Sequence, residues 1–408
     1  MAELTREQVV ARAKQGESLA REELNGLDLS GTDLSGADFS RTDLEGVNFE
    51  GARLDGTNFK NANLREAFLS SAVLTNANLE KADLEGANLS KANLTGANLN
   101  RATLEGAKLT DAILTSALLT NAQLDSAELG KAMLDGASLA HAELVEAYLG
   151  GANLTGSDLS NADLSSANLE EANFRQANLS DAELAEAAAP GANFEGASLL
   201  RSNLRSANLE GCNLRDIDGR HANFSDTRTA GATLTGAKLF SAQTKTGRFD
   251  GVIAEWVDTS PEGTGTKRVS GDEVAAFLAG KLSEVPTATR YFGKGDVLRD
   301  ASLEFGAGSD VEIDSRFEKC KIVLSEGTNL VIGEDGVLSE CTISGLGNIT
   351  IHGQFLERDS PGIIGPRLLV VSEQGAVAGA VEQAAESTQF AFAPGCSLRM
   401  KILRARAK

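Results

Sequence analysis

The chain has 408 residues and carries a net charge of −20, and only 5% of its residues are aromatic. A surface this acidic repels a phosphate backbone, which argues against nucleic acid as the partner. The four cysteines form no CxxC pair, and the N-terminal residues contain no apolar run long enough for a signal peptide or a membrane span. We therefore expect a cytoplasmic protein without a disulfide framework.

Residues 1–23 are interpreted as an N-terminal helical cap. Thr5 is a typical N-cap residue, and Val9, Val10 and Ala13 fall on one face of the helix that it would begin. The open ends of a repeat array need to be covered. We therefore expect this short helix to plug the first coil of the repeat that follows.

A five-residue repeat occupies residues 24–250. Stepping by five from Leu24 to Phe249 gives 46 positions, and all of them are Leu or Phe except Ala189, Gly219, Thr229 and Thr244. The chain prefers Ala two residues before each of these centres, and Asn or Asp stands directly before many of them. A period of five matches neither a helix nor a strand. We infer that the centre and the Ala position face inward, while Asn and Asp bond backbone groups at turns.

This pattern resembles the pentapeptide-repeat family. The resemblance implies a right-handed quadrilateral β-helix, in which each pentapeptide forms one side and four sides make a coil of twenty residues. Phe39 and Phe59 are twenty residues apart, as are Phe174 and Phe194, so each pair should stack. At an interstrand spacing of ~4.8 Å, the 46 units would form about 11.5 coils and a rod of about 55 Å.

Residues 251–292 are expected to form a lid, a linker and a short helix. Trp256 lies in a segment that we assign to the lower lid, and residues 260–271 are rich in Gly, Ser and Thr, which is typical of a linker. A helix is predicted from about Asp272 to Leu282, because apolar residues recur there at helical spacing, namely Val274, Phe277, Leu278 and Leu282.

Residues 293–408 contain short β-rich runs separated by turns, which favours a second β-solenoid or a β-roll. The segments VIGEDGVLSECTI and VVSEQGAVAGAV each join a strand, an acidic or Gly turn and a strand of small residues. They resemble the bactofilins, bacterial polymer-forming cytoskeletal proteins. The resemblance implies a β-helical core that joins end to end and mediates self-assembly, although SPGIIGPRL at 360–368 interrupts the pattern.

The last ten residues carry a basic tail, which consists of Arg399, Lys401, Arg404, Arg406 and Lys408. Within this acidic chain the tail is the one segment suited to an anionic surface such as a membrane, and a solvated terminus is the simpler interpretation. The predicted fold class is therefore all-β: a capped pentapeptide-repeat β-helix that is linked through a short helix to a second β domain.

No group of residues in the sequence predicts catalysis. His141 and His221 fall on outward corners of the repeat, His352 lies in a β-rich run, and none has a second ligand at a metal-binding spacing. The glycine-rich stretches at 293–295 and 333–336 match neither a P-loop nor a dinucleotide fingerprint. We therefore expect a protein that is not an enzyme and that binds no cofactor or metal.

Two sets of outward residues share sides of the predicted coil. In the first set apolar residues replace the usual Asn or Asp, and we interpret them as a candidate partner surface: Phe68, Val73, Ile113, Leu118, Met133 and Tyr148. Chance substitution in a tolerant repeat is the alternative interpretation. The second set is an acidic column with spacings of twenty or forty residues: Glu45, Glu85, Glu105 and Asp125.

These features favour a non-catalytic scaffold, in which a rigid rod presents a protein-binding surface and the C-terminal domain mediates assembly. The alternative is an acidic DNA mimic that binds a topoisomerase such as DNA gyrase, as some members of the resembled family do. Duplex DNA carries one charge per ~1.7 Å, or about 32 charges over 55 Å, whereas residues 21–250 have a net charge of about −14. An enzyme hidden in the C-terminal domain is a third alternative.

Overall fold

The computed structural model describes residues 4–244, 246–249, 251–260, 263, 265, 268–270, 273–279, 290–292, 297–299, 301–305, 310–326, 328–345, 348–352, 354–364, 366, 368–371, 376–383, 389–392 and 397–404. The chain divides into two compact units. The first comprises Met1–Val257 and Ser270–Lys281, and the second comprises Asp258–Val269 and Leu282–Lys408. In both units parallel strands or bridges stack coil upon coil.

Helix α1 spans Arg6–Lys14 and begins at the predicted N-cap. The hydroxyl of Thr5 accepts a hydrogen bond from the backbone N–H of Gln8, and the Gln8 side chain accepts one from the Thr5 N–H. This capping box satisfies two N–H groups that the first turn of a helix otherwise leaves without partners. The local sequence therefore predicted both the helix and its start.

Helix α1 packs onto the first coil of the repeat. Val9 is fully buried, and the other two apolar residues of the predicted face are half-buried. The guanidinium of Arg6 donates hydrogen bonds to the carbonyl oxygens of Asp28, at 3.0 Å, and Ser30, at 2.6 Å. The helix thus covers the open end of the repeat, as a solenoid requires.

The repeat winds into coils of twenty residues. Isolated parallel β-bridges link each residue that precedes a centre to the residue twenty positions later, without a gap from Glu23 to Ile253. From Leu24 to Leu234, the backbone N–H of each centre donates to the coil that follows, as that of Leu94 does to the carbonyl of Ile113 at 2.7 Å. Four five-residue sides make one turn of a parallel β-helix, so the predicted period is confirmed.

Phenylalanine pairs fill the interior as the period predicts. The rings of Phe39 and Phe59 stack with centroids 5.4 Å apart and an interplanar angle of 8°. Those of Phe174 and Phe194 stack at 4.9 Å and 3°. All four rings are fully buried, so the centres of the pentapeptides face inward.

The four centres that are neither Leu nor Phe are also buried: Ala189, Gly219, Thr229 and Thr244. A Cβ at Gly219 would lie 3.1 Å from Cδ2 of Leu239 and 3.4 Å from Cε2 of Phe224. The space of the missing side chain is therefore taken up by its large neighbours. For this reason the coil continues past the point where the sequence departs from its pattern.

The Asn and Asp residues that precede the centres hold the turns, as predicted. Oδ1 of Asn93 accepts a hydrogen bond from the backbone N–H of Thr95 at 3.0 Å, and the equivalent bond recurs along the rod. Amide side chains also form ladders between coils, in which Asn78 donates to Asn58 at 3.1 Å and Asn98 donates to Asn78 at 3.3 Å. An apolar residue at this position forfeits these bonds.

Two short strands and a helix follow the repeat: β1 (Trp256–Asp258), β2 (Arg268–Ser270) and α2 (Glu273–Leu278). The backbone carbonyl of Trp256 accepts a hydrogen bond from the Gly236 N–H at 3.0 Å, so stacking extends to this residue. Helix α2 buries Val274 and Leu278 of the predicted stripe. Leu282 lies outside the described residues, and the role of Trp256 as a lid stays a prediction.

Fifteen described strands follow: β3 (Arg290–Phe292), β4 (Val297–Arg299), β5 (Ser302–Phe305), β6 (Asp310–Ile313), β7 (Arg316–Glu318), β8 (Lys321–Leu324), β9 (Asn329–Ile332), β10 (Val337–Ser339), β11 (Thr342–Gly345), β12 (Asn348–Ile351), β13 (Gln354–Ile364), β14 (Leu368–Val371), β15 (Ala376–Gln383), β16 (Gln389–Phe392) and β17 (Ser397–Arg404). The described pairings among them are all parallel.

These strands form three ladders, which make the second unit a three-faced β-solenoid. One ladder runs β3-β6-β9-β12-β14-β16, while β4-β7-β10 and β5-β8-β11 both lead to β13 and continue through β15 and β17. Partner residues lie about twenty positions apart, as in the buried column of Ile322, Ile343 and Ile363. Of the two predicted architectures, the strand pairing corresponds to the solenoid.

The predicted interruption at residues 360–368 begins within β13. This strand pairs with β15 with register shifts between Leu356 and Pro361 and between Pro361 and Ile363. Such shifts bend a strand, so the first part of β13 pairs with β10 and its last part with β11. A bend within β13 therefore accommodates the proline without ending the solenoid.

The interpretation of the basic tail as a solvated terminus is wrong for most of its length. Arg399, Lys401 and Arg404 lie in β17, which pairs with β15 over eight residues. The alternating apolar residues of this segment suit a strand better than a free terminus. Arg406 and Lys408 lie outside the described residues.

Candidate protein-interaction surface

The twenty-residue coil sorts the predicted partner residues into sides. β-Bridges link Val73 to Asn93, Asn93 to Ile113, and Ile113 to Met133, so the three apolar residues line one side of the rod. Ile113 and Met133 stack directly, whereas Asn93 separates Val73 from them. The structure therefore brings together two of the three residues that share this side.

The other candidates lie on the two neighbouring sides. Phe68 and Tyr148 occupy the preceding side, four coils apart, and Leu118 lies on the following side in the same coil as Ile113. The exposed fraction is 52% for Phe68, 47% for Tyr148, 44% for Met133 and 43% for Leu118. Val73 and Ile113 are half-buried.

These positions fall into two groups along the rod. We name Ile113, Leu118, Met133 and Tyr148 the middle cluster, because they lie within two successive coils. Phe68 and Val73, which we name the N-terminal pair, lie two coils before it. The two groups are separated by coils whose outward positions carry Asn, Asp, Thr or Lys.

Sequence reasoning missed an exposed apolar residue on the side that carries Met133. Ile253 is 60% exposed and lies six coils after Met133, where its bridge to Thr233 ends the series. Counting in steps of twenty beyond the assumed boundary of the repeat would have found it. Val297 and Leu356 of the second unit are also exposed.

The predicted acidic column is interrupted. Arg65 stands between Glu45 and Glu85 in the same column, and its guanidinium pairs with Glu85 and, at 3.4 Å, with Asp83. The hydrogen bond that Arg65 donates to the Glu85 carboxylate is the main reason that the pKa of Arg65 is raised. The column is therefore not a continuous ridge of unpaired carboxylates.

Asp125, another member of the acidic column, takes part in local structure. Oδ1 of Asp125 accepts a hydrogen bond from the backbone N–H of Val145, one coil later, at 2.8 Å. Elsewhere charged residues pair between coils. Arg201 donates hydrogen bonds to both carboxylate oxygens of Asp181, at 2.6 and 2.5 Å. These bonds lower the pKa of Asp181. Solvent screens exposed pairs of this kind, so they adjust the surface more than they stabilise the fold.

Within the described residues, the cysteines are not reactive groups. Cys212, Cys320 and Cys341 are free and buried, and burial raises the pKa of Cys212 to about 12. A buried protonated thiol is a poor nucleophile and a poor metal ligand. In the described part of the chain no three His, Cys, Asp or Glu side chains gather as a metal site.

His141 and His221 occupy outward corners with φ of 58° and 60°, as their positions in the repeat predict. His352 directly follows β12, and its backbone N–H donates to the carbonyl of Ile332 at 2.7 Å.

Neither described helix has the length or the apolar composition of a membrane span.

The sequence of the repeat matches a known protein family. The family model for pentapeptide repeats matches in eight copies, and the matched residues include 23–61, 52–90, 77–115, 87–124, 104–140, 142–181 and 177–216. No curated protein matches the sequence. The bactofilin resemblance of the second unit stays a prediction.

Several solved structures are similar to this chain. HetL, a pentapeptide repeat protein involved in heterocyst differentiation regulation from the cyanobacterium Nostoc, is 32% identical over 61% of this chain and 99% of its own, with a TM-score of 0.29. Rfr23 from the cyanobacterium Cyanothece 51142 is 33% identical over 26% of this chain and 63% of its own, with a TM-score of 0.21. QnrB1, a plasmid-mediated fluoroquinolone resistance protein, is 17% identical over 64% and 100%, with a TM-score of 0.20.

The family of this chain is assigned from its sequence and not from superposition on the solved structures. Copies of the family model for pentapeptide repeats follow one another from residue 23 to residue 216. The uninterrupted twenty-residue bridges supply the coil that such repeats require. The chain belongs to the pentapeptide repeat family.

Proposed function

We propose that this protein is a non-catalytic interaction scaffold, in which the middle cluster of the rod binds a protein partner and the second unit mediates self-assembly. Pentapeptide repeat proteins are non-catalytic scaffolds for protein interactions. The observation that carries the proposal is the middle cluster itself. Three of its four residues are more than 40% exposed at positions where the repeat usually places Asn or Asp.

The chemistry of these positions supports a binding role. An Asn at this position accepts a hydrogen bond from the N–H two residues later, and an apolar residue forfeits that bond while exposing its side chain to water. Both effects lower the stability of a rod that has no partner bound. Several such substitutions within two coils are therefore better explained by a partner that covers them than by a gain in stability.

The binding half is tested with a double variant that restores the residue the repeat favours, Ile113→Asn/Met133→Asn. The full-length variant should unfold at the same temperature as the parent chain or above it, because Asn regains its turn bond. It should lose a protein that the parent chain captures from cells of the source organism. Phe68→Asn/Val73→Asn is the matched control, since it makes the same change in the N-terminal pair and should retain the captured protein. Capture unchanged by Ile113→Asn/Met133→Asn would refute this half of the proposal.

The assembly half is supported by the ends of the solenoid. Among the described strands, β3, β4 and β5 each pair with a neighbour on one side only, and so do β16 and β17 at the other end. Unpaired parallel edges are templates for further strands. Electron micrographs and sedimentation of the full-length protein at rising concentration should show filaments or defined oligomers, and a strict monomer would contradict this half.

The DNA-mimic alternative has less support. Arg65 interrupts the acidic column, and residues 201–248 carry eight Lys or Arg residues, of which Arg201, Arg205, Arg220 and Arg228 pair with carboxylates. A mimic of duplex DNA needs a continuous anionic ridge with about one charge per ~1.7 Å. The charge of this rod is too low and too uneven for that role.

A further inference from the structure

Tyr148 lies flat on the surface of the rod because two glycines make room for it. A Cβ at Gly130 would lie 2.7 Å from Cε1 of Tyr148, and a Cβ at Gly150 would lie 2.5 Å from its hydroxyl oxygen. Both glycines are buried, while Tyr148 itself is 47% exposed. One face of the ring therefore covers the backbone of two coils, and the other face is open to solvent.

The two glycines are specific to this place. Each occupies the position directly after a centre, and among the 46 centres from Leu24 to Phe249 no other is followed by Gly. Neither has a positive φ, so the backbone does not require glycine there. The seat for the tyrosine ring is the requirement that explains both residues.

The coils around Tyr148 carry an excess of carboxylates, counted over all four sides of the rod. Residues 123–172, which include the coils on either side of Tyr148, carry nine carboxylates and a single Lys or Arg, Lys131. Glu128 pairs with Tyr148 from the preceding coil, and Glu170 lies in the following coil, where its carbonyl accepts the N–H of Gly151 at 2.8 Å. Both glutamates are exposed. An open aromatic face beside carboxylates attracts a cation.

We propose that Tyr148, seated on Gly130 and Gly150 and flanked by Glu128 and Glu170, binds an arginine side chain on a segment of the protein partner. The inference rests on the proposed function, since it specifies the chemistry of the partner that the middle cluster recognises. Arginine fits better than lysine, because its planar guanidinium stacks on an aromatic ring and still donates hydrogen bonds in its plane to carboxylates. Leu118 and Met133 supply apolar contacts to neighbouring residues of the same segment.

A second copy of this chain is a poorer occupant. In the coils after the site, carboxylates of the same rod pair with five of the seven arginines up to Arg248, namely Arg175, Arg201, Arg205, Arg220 and Arg228. These guanidinium groups would have to leave existing partners before they could dock on another copy. The charge of residues 123–172 is therefore more complementary to a separate basic partner.

The test uses the full-length protein and a fluorescein-labelled peptide of alternating arginine and leucine, with binding followed by fluorescence anisotropy at 0.15 M salt. The peptide should bind, and the same peptide with citrulline in place of arginine should bind at least tenfold more weakly. Tyr148→Ala should weaken binding of the arginine peptide about tenfold, and Tyr148→Phe should retain it. Glu128→Gln/Glu170→Gln should weaken it to a similar extent.

The variant Gly130→Ser tests the contribution of the glycine seat while the tyrosine itself is kept. It keeps Tyr148 but places a side chain where the ring lies, so binding should fall as it does in Tyr148→Ala, while circular dichroism and the unfolding temperature report an intact rod. Phe68→Ala is the matched control, because it removes an exposed aromatic ring from the same side of the rod at a place without the glycine seat. This variant should bind the peptide like the parent chain.

Several results would overturn the inference. Equal binding of the arginine and citrulline peptides would exclude guanidinium recognition. If Glu128→Gln/Glu170→Gln weakens binding of the arginine peptide and Tyr148→Ala does not, the binding is general attraction by acidic residues. A dimer that depends on Tyr148 would identify a second copy as the occupant. If Ile113→Asn/Met133→Asn abolishes capture of the partner while Tyr148→Ala does not, the proposed function stands and this inference falls.

Discussion

Replacing Ala92 with leucine is expected to lower the free energy of unfolding of the rod by about 2 to 3 kcal/mol. Ala92 is fully buried, and its column continues with Ala72 and Ala112 in the coils on either side. The coils are only ~4.8 Å apart, so three additional carbon atoms have no space between them. Denaturant unfolding of the full-length protein, followed by circular dichroism, measures the loss.

Lys108→Leu is the matched control for this replacement. Lys108 is exposed directly before a centre, so the variant introduces the same residue type on the outside of the coil. Its unfolding free energy should change by less than about 0.5 kcal/mol. An Ala92→Leu variant as stable as this control would show that the Ala position has room to spare, against the packing described above.

Gly219→Leu restores the residue that the repeat favours, and it is nevertheless expected to destabilise the rod by about 3 kcal/mol. Gly219 is buried, and a Cβ alone would already lie 3.1 Å from Cδ2 of Leu239 and 3.4 Å from the ring of Phe224. The remaining atoms of a leucine side chain would have to displace these neighbours. The same unfolding experiment measures the effect.

A double-mutant cycle identifies the cause of this loss. Phe224→Leu alone should destabilise the rod, because it removes part of a buried ring. Combined with Gly219→Leu it should cost less than the sum of the two single changes, because the smaller side chain makes room for the new one. Additive losses would mean that Gly219 and Phe224 do not share the space between them.

The period of the fold could be read from the sequence because one residue type recurs at a fixed spacing with no insertion. Leu94 and Ala92 are inside, and the Phe39 and Phe59 rings stack, as that spacing requires. Helix α1 was equally clear, since an N-cap residue at Thr5 and apolar residues at helical spacing after it are local signals. These features depend on residues close together in sequence or related by a strict period.

Features in which a small residue leaves space for a large neighbour in another coil could not be predicted in the same way. Gly219 looks like decay of the repeat until its contact with Phe224 is known. The seat of Tyr148 likewise joins Gly130, one coil earlier, to Gly150 two residues later. Glycine is common enough in turns that neither position draws notice without the three-dimensional register.

The second unit was predicted only as a choice between architectures. Its strands recur at intervals of about twenty residues, but the offsets vary, as between Val297 and Arg316 and between Arg316 and Val337. The segments between successive strands differ in length, and this conceals the period. The strand pairing of the basic segment in β17 was hidden for a related reason, because its charged residues suggested a solvated terminus.

Distances along one side of the rod test the twenty-residue coil most directly, and every surface assignment depends on that coil. Spin labels are attached to cysteines introduced at Asn93 and Asn173 in one full-length variant, and at Asn93 and Asn213 in another, with the parent chain as the labelling control. Four and six coils separate these pairs, so backbone separations of about 19 Å and about 29 Å are expected. The account predicts an increase of ~4.8 Å for every twenty residues, and distances that do not rise in this proportion would contradict it.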